Sequence, residues 1–207
     1  MEMDDYLLEN KKKKISFLDS NNKLIYNNDN KNNTMLIVAV KDSNMELAKK
    51  LIENNKHEKG YLLKKDLEKK DALHWAIEKS SNEMVKLLLD SKADLNSRND
   101  KMDTPLILSC WRGDLEIINT LFDYKADPTL LNDSGETALM EACYSRKSSI
   151  VSLLIRHYGP HQCLINHQDK KGETALFISA SLGSFEIMKI LIENGAKTEI
   201  KGLFYFI

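Results

Sequence analysis

The sequence predicts an all-α solenoid of stacked helix–turn–helix units joined by hairpin-like fingers. Three observations carry that prediction. The first is a phrase spoken five times: Thr34-Met-Leu-Ile-Val-Ala, Asp71-Ala-Leu-His-Trp-Ala, Thr104-Pro-Leu-Ile-Leu-Ser, Thr137-Ala-Leu-Met-Glu-Ala and Thr174-Ala-Leu-Phe-Ile-Ser. The second is its period: Leu36, Leu73, Leu106, Leu139 and Leu176 lie 37, 33, 33 and 37 residues apart. Self-similarity at such a period is the mark of a stacked array. The third is a further apolar run after four of the phrases, as in Met84-Val85-Lys-Leu87-Leu88-Leu89 and Ile117-Ile118-Asn-Thr-Leu121-Phe122. Its spacing gives a helix with one buried stripe.

Each phrase opens a first helix. The Thr hydroxyl can cap a free backbone N–H, Asp71 can do the same, and Pro105 at the first helical position has no N–H to leave unpaired. A turn follows, marked by Gly113 and Gly183, because glycine accepts the left-handed conformation that ends a helix. The second helix comes next, in the later repeats as Ile150-Val151-Ser-Leu153-Leu154-Ile155 and Ile187-Met188-Lys-Ile190-Leu191-Ile192. Turn-prone stretches then lead to the next phrase, among them Ala93-Asp94-Leu95-Asn96, Asn132-Asp133-Ser134-Gly135 and Asp169-Lys170-Lys171-Gly172. One such unit cannot bury its apolar face alone, so stability must come from stacking on neighbours.

The bulk composition narrows the function classes. The 42% apolar and 29% charged content belongs to a folded, soluble chain. A net charge of −1 and a pI near 6.5 provide no global field for nucleic acid or acidic lipid. No apolar run approaches the ~20 residues that span a bilayer, and Tyr6-Leu7-Leu8 is too short for a signal-peptide core. Three cysteines are too few and too odd for a disulfide framework, which fits a reducing, cytoplasmic setting, with the nucleus as the alternative.

These residues resemble the ankyrin repeat family. Its pattern has a Thr-Pro-Leu-His start, an alanine pair, a mid-repeat glycine, a Val-Val-x-x-Leu-Leu second helix and a Gly-Ala-Asp-Val-Asn finger. Asp71-Ala-Leu-His74-Trp-Ala76, Glu83-Met-Val-Lys-Leu-Leu-Leu89 and Ala93-Asp-Leu-Asn96 follow it closely. The resemblance implies an ankyrin-repeat solenoid of five repeats over 34–200, at about 34–66, 67–99, 100–132, 133–169 and 170–200. Residues 1–33 are an Asn/Lys-rich segment with a partial capping repeat, and 201–207 are an apolar tail. Some positions depart from the family. Pro105 and His74 each keep a family residue in one repeat only. Ser43, Ser80 and Arg146 replace the mid-repeat glycine, which predicts strained or reshaped turns. Four extra residues lengthen each of two fingers, around His57–Lys70 and Tyr158–Gln168.

The resemblance also implies a function: a non-catalytic scaffold that binds a protein partner through its concave face, as a monomer and without a cofactor. In such a stack the first helices and the fingers line the groove. Aligned repeats give three outward ladders: Trp75, Leu108, Glu141 and Ile178; Glu78, Trp111, Tyr144 and Ser181; and Lys79, Arg112, Ser145 and Leu182. Trp75, Trp111, Tyr144 and Arg112 therefore converge on repeats two to four. Trp, Tyr and Arg dominate interface hot spots because each joins a large area to a polar handle. Arg98, Asp100, Met102 and Asn132 flank them from the fingers. The other reading of the same ladder is that the aromatics cover neighbouring helices.

Four further features invite chemistry. His157, His161, Cys163 and His167 crowd one finger with residue types that zinc uses, but Gly159-Pro160 breaks the helix that would align the first two. A ligand-free loop is the expectation. Cys110 and Cys143 share one repeat position, so helix spacing of about 8–10 Å keeps them apart as buried free thiols. Lys11–Lys14 reads as a solvated run or an import patch. By resemblance, Asn96 and Asn166 hold the finger position that an asparaginyl hydroxylase modifies in ankyrin proteins. No nucleophile elbow, phosphate-cradling loop or His-Glu-x-x-His helix is present, so catalysis is not expected in this chain. The apolar Leu203-Phe-Tyr-Phe-Ile207 tail keeps a second reading open: a regulatory or targeting module of a larger enzyme or channel, such as an ankyrin-bearing palmitoyltransferase.

Overall fold

The computed structural model describes residues 34–158 and 164–198. The expected N-terminal cap, Lys11–Lys14, His161, Cys163 and the apolar tail lie outside the described residues. Within them are ten α-helices in five pairs and no strand. They are α1 (Met35–Lys41) with α2 (Met45–Asn54), α3 (Ala72–Glu78) with α4 (Asn82–Asp90) and α5 (Pro105–Arg112) with α6 (Leu115–Asp123). Then come α7 (Ala138–Tyr144) with α8 (Ser148–Tyr158) and α9 (Ala175–Ser181) with α10 (Phe185–Glu193).

The phrase works as a helix start in every repeat. The side chains of Thr34, Asp71, Thr104, Thr137 and Thr174 accept from the N–H three residues on, at 3.2, 3.1, 3.3, 3.2 and 3.2 Å. Each cap satisfies one of the four N–H groups a helix start leaves open. The five phrase leucines are buried, none more than 1% exposed. They form the spine of one continuous core. First helices stack on first helices, α1 on α3, α3 on α5, α5 on α7 and α7 on α9, while α4, α6, α8 and α10 form the second row. Cys110 and Cys143 are free and buried in this core, and burial pushes the Cys143 thiol up to about 12.

The turns without glycine keep the glycine geometry. Ser43, Ser80 and Arg146 take φ of 55, 50 and 58°, close to Gly113 at 73° and Gly183 at 65°. The turn is therefore strained and not reshaped. An abrupt reversal between two short helices needs the left-handed residue, and packing of the stack on both sides holds it there.

The fingers also repeat one device. Asp66, Asn99, Asn132 and Asp169 each accept, through Oδ1, from the backbone N–H groups two and four residues on, at 2.8–3.0 Å. Backbone bonds of 2.9–3.0 Å then tie finger to finger: Asp100 N–H to Glu68, Asp133 N–H to Lys101 and Lys170 N–H to Ser134. The turn places the residue four on, Lys70, Asp103, Glu136 or Glu173, directly before the cap of the next first helix. Asn96 and Asn166 join neighbouring repeats, accepting from Asp127 N–H at 3.3 Å and Lys197 N–H at 2.7 Å.

Candidate functional site: the groove of the middle repeats

The concave face of the middle repeats holds a pocket of about 690 Å³, lined by α3, α5 and α7 and by three fingers. The stack builds it directly, since equivalent positions of neighbouring first helices fall side by side. Seven of the residues singled out from the sequence line it: Glu78, Leu108, Trp111, Glu141, Tyr144, Asp100 and Asn132. Trp111 at the end of α5 is 56% exposed and Tyr144 at the end of α7 is 37% exposed. Leu108 is buried beneath them. Burial and the carboxylates of Glu136, Glu173 and Glu141 push the Tyr144 hydroxyl up to about 12, so it remains a neutral donor.

Glu141 sits on α7, only 8% exposed. Asn132 Nδ2 donates to Glu136 Oε2 at 2.9 Å and to Glu141 Oε1 at 3.3 Å, which fixes both carboxyl groups at the foot of the third finger. Burial first, then the negative charges of Glu136 and Asp103, push the Glu141 pKa up to about 8. Asp103 is raised as well, chiefly by burial. A buried carboxyl with acidic neighbours keeps its proton at neutral pH because ionising it would add like charge in a poorly solvated site.

The other residues singled out from the sequence lie apart from this pocket. Trp75 is half-buried: its Nε1 donates to Asp66 Oδ2 at 2.8 Å, with Lys41 Nζ 3.8 Å and Lys70 Nζ 5.0 Å from the ring centroid. Its indole is engaged inside the stack. Arg112 Nη1 donates to Glu78 Oε2 at 2.9 Å, bridging two repeats. Arg98 donates to the carbonyls of Met102 (2.8 Å) and Leu131, so it braces two fingers. Met102 is 43% exposed at a finger tip with φ 62°, and Lys79 is exposed at the end of α3.

Sequence reasoning missed Asp103 and Glu136. The signal was available, since both stand one residue ahead of the repeated phrase. Of the four residues with zinc-ligand chemistry, His157 stacks on Phe122, the rings parallel at 4.0 Å, and His167 Nε2 lies 2.9 Å from the Gly135 carbonyl. Among the described residues no group of three or more His, Cys, Asp or Glu is placed to hold a metal. No helix among them is long and apolar enough to cross a membrane.

Paired helices, left-handed mid-repeat turns and bonded fingers define a stacked helical-repeat protein. The family profile for ankyrin repeats (three copies) matches at residues 5–99, 57–132 and 106–202, so the chain belongs to the ankyrin repeat family. Ankyrin repeats are in general protein–protein interaction modules and are typically non-catalytic. No curated protein matches the chain significantly.

Proposed function

We propose that this protein is a non-catalytic adaptor that binds a segment of a partner protein along the groove of its middle repeats. The observation that carries the reading is the exposure of Trp111 and Tyr144 at equivalent positions of adjacent repeats, above the same pocket. Large aromatics left in solvent on a concave face are interface anchors, since covering each removes much apolar area from water. Leu108 supplies apolar floor, and the fingers supply polar groups at the rim. The adaptor acts in the cytoplasm or nucleus, as a monomer, without a cofactor. Quantitative affinity capture tests the function: a partner retained by the wild-type chain is lost from the folded W111A/Y144A double variant. Undiminished capture by that variant rejects the groove.

A further inference from the structure

The pocket's carboxylates outnumber its cations, although the chain as a whole is nearly neutral at −1. Two of them are answered: Lys70 Nζ lies 2.8 Å from Glu68 and 3.2 Å from Glu78. Asp100, Asp103, Asp133, Glu136 and Glu141 then face the groove with Lys101 as the other lysine among its lining residues. Helix packing carries Trp111 and Tyr144, 33 residues apart, on neighbouring helices about 8–10 Å from axis to axis. Trp111, Tyr144 and the nine-tenths-buried Glu141 line one pocket, so the space between the two helices forms a slot for an incoming side chain.

We propose that this slot receives a lysine or arginine side chain from a basic segment of the partner, its cation against Glu141 and its stem between Trp111 and Tyr144. This rests on the groove reading above and adds the chemistry of the partner. Three attractions coincide there. A cation over an indole or phenol face gains quadrupole attraction that grows as water is excluded. The long aliphatic stem covers apolar ring surface. The cation also replaces the proton that otherwise relieves the crowding of Glu141, Glu136 and Asp103. A protein segment, rather than a free polycation, fits because the pocket is one stretch of a groove rimmed by three successive fingers, which leaves room along it for the chain on either side of the inserted side chain.

A random peptide display library panned against the full chain tests this, with selected peptides titrated by tryptophan fluorescence. Peptides with clustered Lys and Arg are expected to be enriched. W111A and E141Q, each checked for fold by circular dichroism, should weaken them about tenfold. Binding to the wild type should strengthen from pH 6 to pH 9 as the displaced proton becomes easier to lose. Peptides without net positive charge that are lost with W111A overturn the cationic slot and leave the groove standing. Basic peptides indifferent to both substitutions overturn the groove itself, and a library with no enrichment overturns both. Displacement of the peptides by spermidine at matching concentration reassigns the slot to a free polycation and overturns the segment.

Discussion

Asn132 Nδ2 donates to Glu141 Oε1 at 3.3 Å, tying the foot of the third finger to the first helix that follows it. The bond holds Glu141 where solvent reaches it poorly and where Glu136 and Asp103 oppose its ionisation. Its pKa rises from 4.5 in the unfolded chain to about 8 in the fold. Between those values the folded state binds the extra proton, so stability falls as pH rises. Below about 4.5 the contribution is fully present, and by pH 8 it is lost. Glu141→Gln does not titrate. The variant should therefore gain on the wild type as pH rises, by about 1–3 kcal/mol at pH 8, since each tenfold difference in proton affinity between fold and unfolded chain is worth about 1.4 kcal/mol before screening. Urea denaturation from pH 4.5 to pH 8.5 reads the gap, and a gap that does not widen with pH rejects the account.

Asp71 reaches further than a cap. Its Oδ1 accepts from His74 N–H at 3.1 Å and lies 2.8 Å from His74 Nδ1, while His74 Nε2 lies 3.3 Å from the Asp103 carbonyl of the next repeat. Burial raises the Asp71 pKa, but the His74 bond and charge outweigh it and the net direction is down. Its stabilisation is therefore present above the unfolded value near 3.8 and is lost as pH falls through the lower folded value. Asp71→Ala removes cap and partner together and should cost about 2–4 kcal/mol at pH 7. Asp71→Asn keeps an acceptor for the cap and should cost about half as much. An Asp71→Asn variant as stable as the wild type, measured by chemical denaturation, would show that the charge on Asp71 contributes nothing.

The left-handed turns give a prediction with the opposite sign. Ser80 and Arg146 occupy a conformation that costs a non-glycine residue about 1–2 kcal/mol. Glycine removes that strain and adds about 0.5–1 kcal/mol of unfolded-state entropy. Ser80→Gly and Arg146→Gly should each stabilise by about 0.5–1 kcal/mol. Gly113→Ala should destabilise, since an added Cβ would also meet the Lys147 side chain at 2.9 Å. Thermal melts order the variants, and a lower Tm for both glycine substitutions rejects the strain argument.

These turns also mark what the sequence could be made to tell. Stacking forces every repeat into register, so whatever recurs in the chain recurs in space. The caps, the leucine spine and the buried Cys110 and Cys143 follow from that register alone. The ladder containing Trp111 and Tyr144 likewise came out on an open face. Asp103 and Glu136 were readable by the same period, but their proximity to Glu141 depends on the finger folding back through Asn99 and Asn132, a side-chain device that a helix ladder does not contain. Trp75 shows the converse. It shares a ladder with Glu141, yet Lys41, Lys70 and Asp66 surround its ring, and which neighbours enclose a side chain is not periodic.

The two tryptophans of the chain should therefore behave oppositely. Trp75 holds a hydrogen bond and two cations around a half-buried ring, so Trp75→Ala should destabilise by about 3 kcal/mol or more. Trp111 stands 56% exposed at a helix end, and Trp111→Ala should change stability by less than about 0.5 kcal/mol. Fluorescence separates them without relying on stability. In the Trp75→Phe variant the remaining indole should be strongly quenched by acrylamide, and in Trp111→Phe only weakly. A bound partner segment should protect the first variant from quencher and leave the second unchanged, because only the ring of Trp111 is left uncovered by the stack. Equal quenching in the two variants would place both indoles in the same environment and remove Trp111 as the anchor of the groove.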